Sequence, residues 1–291
     1  MRLRWIPAPS ELHLLRNLKS FCLRGNYARV HAKDETYSSI PHQFGYLQKL
    51  RDLDLGCNNL TGPIPFELFN LKLTLLNLER NKLTGTLPDA ISCLSNLKFL
   101  NLSFNEMSGK LTPKIGSLTQ LFLLDLHRNY FEGDIPIEIG KCISLQKLDL
   151  GANKFTGAIP PTLSNLSQLR VLSLTRNSLT GAVPPDLSLL THLDVLALGG
   201  NFLNPIIPIE LERLTKLREI HLWWENSSEI EMLQSLAPDS RLRRLLLESA
   251  ADVEPVGACG GGISVEDTAA ESDNESGMYE SEEDCDYQPN W

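Results

Sequence analysis

Apolar residues recur along this chain at a fixed interval, with polar residues set between them in a fixed order. The pattern Leu50-x-x-Leu53-x-Leu55-x-x-Asn58 returns at Leu97, Leu100, Leu102 and Asn105, again at Leu145, Leu148, Leu150 and Asn153, and again at Leu193, Leu196, Leu198 and Asn201. The Asn stands at 58, 81, 105, 129, 153, 177 and 201, one spacing of 23 followed by five of 24. Weaker copies flank the series. Leu18-x-x-Phe21-x-Leu23-x-x-Asn26 precedes it, Leu217-x-x-Ile220-x-Leu222 follows with Glu225 in the Asn position, and Leu242-x-x-Leu245-x-Leu247 reads as a degenerate last copy.

In a strand, successive side chains point to opposite faces, so each Leu-x-Leu predicts a short strand with two apolar groups inward and one residue outward. One such unit cannot bury its apolar side alone; stacked neighbours bury it continuously. The Asn falls where the chain leaves the strand, and its amide is expected to turn inward and satisfy backbone groups there. The pattern therefore predicts a solenoid of eight or nine coils with a parallel sheet along one flank.

The second half of each unit repeats as well. It reads Leu60-Thr61-Gly62-Pro63-Ile64-Pro65, then Leu83-Thr84-Gly85-Thr86-Leu87-Pro88. Further on come Phe131-Glu132-Gly133-Asp134-Ile135-Pro136, Phe155-Thr156-Gly157-Ala158-Ile159-Pro160 and Leu179-Thr180-Gly181-Ala182-Val183-Pro184. This resembles the plant-type leucine-rich repeat, closely over residues 47–222 and more loosely over 12–46 and 223–247. Such repeats occur in receptor-like kinase ectodomains, receptor-like proteins and polygalacturonase-inhibiting proteins. The resemblance implies an α/β repeat fold, a right-handed solenoid whose curved parallel β-sheet forms the concave face, with the Gly-Pro segment forming a second short strand beside the main sheet. It also implies a binding role. Gly suits a left-handed turn, and Pro ends hydrogen bonding at its position. The departures are Leu111-Thr112, which lacks the Pro, and Asn204-Pro205 in place of the Gly. The paired cysteines that cap the family's secreted members, a transmembrane segment and a kinase are not found in this sequence.

Three segments follow from these readings. Residues 1–20 read as an N-terminal capping segment, with Ser10 as the N-cap of a short helix through Leu18. Residues 21–250 form the solenoid, with a polar insertion at 29–39 and a closing cap at 226–250 opened by the capping box Ser228-x-x-Glu231. Residues 251–291 hold twelve carboxylates and no Lys or Arg, and are expected to be a disordered acidic tail. Ser272 and Ser281 each have a carboxylate three residues on and read as phosphorylation sites. The tail is expected to fold back on Arg241, Arg243 and Arg244, and Trp223 and Trp224 to shield the last core layer.

Charge refines the functional reading. The chain carries 27 basic and 36 acidic groups, net −9, but the first 250 residues alone stand near +3 because the tail is so acidic. A body so nearly balanced lacks the basic stripe that a nucleic-acid binder needs. No secretory signal and no run of roughly 18 apolar residues is recognised, so the reading from residues alone is a cytoplasmic or nuclear monomer. Cys22, Cys57, Cys93, Cys142, Cys259 and Cys285 show no paired framework and read as reduced thiols, Cys142 as a core residue and Cys93 as less buried. The sequons at Asn59, Asn101, Asn165, Asn226 and Asn274 discriminate little, because the repeat itself generates most of them.

The outward strand positions form columns, and these carry the candidate partner surface: Phe99, Asn101, Phe104, Leu123, Asp125, His127, Arg128, Lys147, Asp149 and Arg176. Apolar groups beside charges in this arrangement fit a contact patch for a protein or peptide ligand. Filling of a strand surface by aromatic and branched residues is the plainer reading of the same positions. Catalysis is not expected. The six His are scattered, no Ser or Cys completes a triad, no metal-ligand spacing or phosphate-binding glycine motif is present, and no cofactor is implied. Two roles fit: a non-catalytic adaptor, scaffold or signalling regulator inside the cell, or an extracellular recognition or defence-type protein. An acidic-tailed nuclear repeat protein is a third, though these repeats are of another class.

Overall fold

The computed structural model describes residues 15–25, 39–223 and 233–251. Within them, nine three-residue strands form one parallel sheet in chain order. They are β1 (Ser20–Cys22), β2 (Asp52–Asp54), β3 (Leu75–Asn77), β4 (Phe99–Asn101), β5 (Leu123–Asp125), β6 (Lys147–Asp149), β7 (Val171–Ser173), β8 (Val195–Ala197) and β9 (Glu219–His221). Register is constant: Leu53 pairs with Leu76, Leu76 with Leu100, and so on to Leu196 with Ile220. The right-handed leucine-rich-repeat solenoid is therefore present, and its strands are the Leu-x-Leu segments.

The inward leucines of each coil lie under their neighbours and are almost wholly buried, in one core running from Phe21 to Leu246. Phe131 and Phe155 stack at 6.4 Å between centroids within it. After strands β2 to β8 the chain turns through a left-handed residue, and the ladder Asn then folds inward. Asn129 shows what this accomplishes. Its Nδ2 donates to the carbonyls of Leu102 at 2.9 Å and Leu126 at 3.1 Å, and its Oδ1 accepts from the N–H of Met107 at 3.0 Å. Asn81, Asn105, Asn153, Asn177 and Asn201 bond in the same way towards the preceding coil, and the Nδ2 of Asn58 donates likewise to the carbonyl of Leu23 at 2.7 Å. Each amide thus satisfies its own turn and also ties one coil to the last. All but Asn153 are buried.

The Gly-Pro half of each unit builds the other flanks. Short parallel pairings join Thr61–Gly62 to Lys82–Leu83, Ser108–Lys110 to Tyr130–Asp134 to Lys154–Thr156, and Thr180–Gly181 to Phe202–Leu203. The conserved-phase Gly takes positive φ, for example +72° at Gly133. The Pro does more than interrupt bonding: Pro65, Pro88, Pro136, Pro160, Pro184 and Pro208 are N-caps of five-residue 3-10 helices on the convex side. Where Pro is missing, Thr112 caps instead, accepting from the N–H of Lys114 at 3.1 Å. The substitution of Asn204-Pro205 leaves the neighbouring strand pairing intact.

The end of the solenoid differs from the sequence reading. Leu242-x-x-Leu245-x-Leu247 is no strand copy but lies in helix α1 (Arg241–Ala251). Leu242 and Leu246, four apart, face the core, whereas Leu247 is exposed, as 3.6-residue periodicity demands. Ser240 caps it by accepting from the N–H of Arg243 at 3.1 Å. Arg241 donates to the carbonyl of Leu214 at 2.8 Å and also to Leu217, and Arg243 to that of Leu233 at 3.2 Å. Two of the three arginines expected to hold the tail therefore satisfy carbonyls at the end of the body. The Ser10 cap, Asn26, insertion residues 29–38, Trp224, the Ser228–Glu231 box and the tail with Ser272 and Ser281 lie outside the described residues.

Candidate functional site

Because each strand is three residues long with its middle apolar residue inward, two outward columns run across the sheet. The first reads Leu75, Phe99, Leu123, Lys147, Val171 and Val195 in direct register. The second reads Asp54, Asn77, Asn101, Asp125, Asp149 and Ser173. Two further columns come from the turn after the strand: Glu79, Ser103, His127, Gly151 and Thr175, then Arg80, Phe104, Arg128, Ala152 and Arg176.

The second column is rich in Asn and Asp for a local reason. Each side-chain oxygen accepts the N–H two residues on: Asp54 from Gly56 at 3.0 Å, Asn77 from Glu79 at 3.2 Å, Asn101 from Ser103 at 3.0 Å, Asp125 from His127 at 3.1 Å and Asp149 from Gly151 at 3.0 Å. These Asx turns shape the exit from each strand. Asn101, Asp125 and Asp149, read from sequence as contact residues, are thus committed to the backbone, and Asp125 is only 8% exposed.

Ionic pairs link the columns. Glu79 joins Arg24 from β1's coil to Asn101 on β4. Lys147 reaches back one strand to Asp125 at 2.7 Å. His127 Nδ1 lies 3.6 Å from Asp149 Oδ1. Burial holds the Asp125 carboxyl above the ordinary range, with Lys147 opposing and Asp149 adding to the rise. Burial also pushes Asp149 up, but its contact with His127, the Gly151 N–H and the charges of His127 and Lys147 outweigh that, and its carboxyl sits below the ordinary range. Two carboxylates at equivalent positions on adjacent strands are therefore shifted in opposite directions.

The outermost column is basic. Phe104 lies between two guanidinium groups, Arg80 at 4.5 Å and Arg128 at 5.4 Å from its ring centre, and its ring meets that of His127 at 5.4 Å. All of Cys57, Arg80, Phe104, Arg128, Ala152 and Arg176 have φ between +49° and +56°. Recurrence in six successive coils makes this left-handed backbone a property of the repeat, not of one site.

A cleft of about 380 Å³ opens on this face over β3–β6, lined by Leu75, Glu79, Arg80, Phe99, Asn101, Phe104, Leu123, Asp125 and Lys147 among others. Six of the ten residues expected from sequence share it. His127, Arg128, Asp149 and Arg176 continue the face beyond its lining. Leu75, Glu79, Arg80 and Arg24 also line it and are not among the ten; the first three hold the same repeat positions as Phe99, Ser103 and Phe104, and that equivalence is the available signal in the sequence. Trp223 does not plug the core. Its ring lies over Gly199, where an added Cβ would come within 2.1 Å of Trp223 Cε3.

Among the described residues no group of three or more His, Cys, Asp or Glu is placed to hold a metal. No described helix is long and apolar enough to cross a membrane. No disulfide joins the described cysteines; Cys22 and Cys93 are exposed, and Cys142 is buried with its thiol pushed up to about 12 by desolvation. Of the sequons, Asn59 and Asn165 are exposed, while Asn101 lies on the sheet bonded to Glu79.

Comparison with known proteins agrees with the repeat fold. The family described as "Leucine-rich repeat region" matches residues 109–257, and single "Leucine Rich Repeat" units match 49–71, 72–94 and 96–118. Receptor-like protein 39 of Arabidopsis thaliana is 41% identical over 63 residues, 21% of this chain and 7% of that protein. The LRR ectodomain of the plant membrane receptor kinase GASSHO1/SCHENGEN3 from Arabidopsis thaliana, solved with CASPARIAN STRIP INTEGRITY FACTOR 2, is 38% identical with a TM-score of 0.67 over 72% of this chain and 24% of that one. The Arabidopsis receptor kinase HAESA, solved with the peptide hormone IDA and the co-receptor SERK1, is 34% identical with a TM-score of 0.62 over 64% and 31%. The chain thus spans less than a third of the length of each of these proteins over the matched region.

Proposed function

This chain belongs to the leucine-rich-repeat family, and from that premise we propose that it is a non-catalytic recognition module that takes a peptide or protein segment on its concave face. The observation that carries the proposal is the cleft over β3–β6. There an apolar row, Leu75, Phe99 and Leu123 in register, lies across from the Arg80–Phe104–Arg128 cluster, with a polar network between. An apolar anchor beside oriented charges is what a small number of strong contacts requires. Nine strands about 4.8 Å apart give a face of roughly 35–40 Å, enough for an extended segment.

Similarity to receptor-kinase ectodomains solved with the peptide hormone IDA and with CASPARIAN STRIP INTEGRITY FACTOR 2 favours a cell-surface or secreted recognition role over a cytoplasmic adaptor. The first of the two roles read from residues alone therefore gives way to the second. Peptide ligands selected from a displayed random library on the purified chain test the reading. Binding is expected to fall at least tenfold in Phe99→Glu and Leu123→Glu, and to persist in Phe66→Glu, which alters an exposed convex residue. Ligands that ignore both concave changes and respond to the convex one would overturn it.

A further inference from the structure

On the concave face the acids have partners, while three of the bases form no ion pair among the described residues. Asp54, Glu79, Asp125 and Asp149 each accept from a backbone N–H, a basic group or Asn101. Arg80, Arg128 and Arg176 make no ion pair among the described residues. They occupy the same repeat position, one before the ladder Asn, on the coils of β3, β5 and β7. Two strand spacings separate each from the next, about 9.6 Å. Arg128 and Arg176 are exposed and Arg80 is half-buried. The result is a row of guanidinium groups about 19 Å long with no acid of the sheet assigned to it.

The same chain carries a segment of matching charge and spacing. Glu280, Glu283 and Asp286 recur every third residue in a stretch without Lys or Arg. Drawn out, three residues span about 10 Å. We propose that the segment Glu280–Asp286 docks along the Arg80–Arg128–Arg176 row, covering the concave face and competing there with any external ligand. Reach is ample. Twenty-eight residues, 252–279, lie between Ala251, the end of α1, and Glu280, enough for about 90 Å. The row begins about 10 Å from β9 and ends about 29 Å away. Arg–carboxylate pairs are charge-assisted and hold best where few other acids compete; Arg80 and Arg128 flank the Phe104 ring, but no described acid pairs with the row. Arg241 and Arg243, the alternative anchors, are bound to carbonyls already. The inference goes beyond the ligand reading, since the docked segment stands or falls without an external ligand.

The test uses the full chain and a fluorescent peptide of residues 277–288. The peptide is expected to bind the Glu280→Gln, Glu283→Gln, Asp286→Gln chain at least tenfold tighter than the unchanged chain, whose row is filled. Adding Arg80→Gln, Arg128→Gln and Arg176→Gln should abolish that binding, with circular dichroism checking that the chain still folds. Independently, cleavage of the unchanged chain after Glu280–Glu283 by a Glu-specific protease should quicken at least tenfold at 0.5 M salt, relative to an unstructured substrate, as screening releases the segment (about 3–4 Å Debye length). Equal peptide binding to the unchanged and tail-neutralised chains, cleavage that salt does not change, or loss of binding in Arg244→Gln alone would each overturn the proposal.

Discussion

Asn129 holds Leu102, Leu126 and Met107 in place through one amide, and no other side chain both donates and accepts in that geometry. Asn129→Ala leaves buried backbone groups unpaired, each costing about 1–3 kcal/mol, so a loss of about 3 kcal/mol or more is expected in urea unfolding. Asn129→Asp should be nearly as harmful, because a carboxylate cannot donate; a harmless Asp would refute the donor role. Asp125 and Asp149 make an opposed pair. Asp125 binds its proton more tightly folded than unfolded, so stability falls as pH rises from the ordinary carboxylate value through its raised one. Asp125→Asn keeps an acceptor for the His127 N–H, and should raise the unfolding midpoint at pH 7, the gain vanishing below the ordinary value. Asp149 behaves in reverse: its stabilisation is present above the ordinary value and lost as pH falls through the lowered one. Asp149→Asn should therefore lower the midpoint at pH 7, with the deficit closing in acid. Midpoint shifts of the same sign for both variants would contradict this account of the face.

Among the elements, the convex 3-10 helices show how closely the coils are stacked. Gly116 and Gly140 follow a buried Ile, and a Cβ at Gly140 would lie 2.3 Å from the carbonyl oxygen of Thr162 in the next coil. Backbone cannot yield there as a flexible side chain can. Gly140→Ala should cost about 1–3 kcal/mol by overpacking, measured as a shift of the urea midpoint at unchanged slope. Ser92 and Ser164 hold the same place in neighbouring coils, so the tolerance is set locally by the separation of each pair of 3-10 helices. Ala at 140 without measurable cost would mean that this pair can part freely. Helix α1 answers a different need. The last coil has no successor to bury its side, and Leu242 and Leu246 cover it.

At the scale of the molecule, one core continues from β1 to α1, and each coil packs on its immediate neighbours, with the Arg24–Glu79 pair reaching two coils along the concave face. Stability in such a chain is a sum of coils and nearest-neighbour interfaces. Leu124, buried between Leu100 and Leu148, is held from both sides, whereas Leu246 lies in the terminal cap. Leu124→Ala should cost about 2–5 kcal/mol and lower the midpoint of the main transition, while Leu246→Ala should chiefly speed hydrogen exchange in the last coils. Equal effects of the two on exchange in the central strands would show a more global coupling than stacking provides. The candidate residues of the concave face lie on these strands or in the turns directly after them.

The repeat, its strands, the inward Leu and the Asn ladder follow from sequence alone, because burial every 24 residues leaves one consistent way to stack. The columns of the face follow as well, since strand alternation is strict. Tertiary structure alone decided which column residues are available. Asp125 and Lys147 stand 22 residues apart and Arg24 and Glu79 55 apart, and only parallel register brings each pair together. It also turned Leu242–Leu247 from an expected strand into a helix, because a pattern of three leucines fits both periods and only the exposed end of the core selects one. The opposite shifts of Asp125 and Asp149, identical in sequence position, arise from burial and neighbours that no single repeat contains.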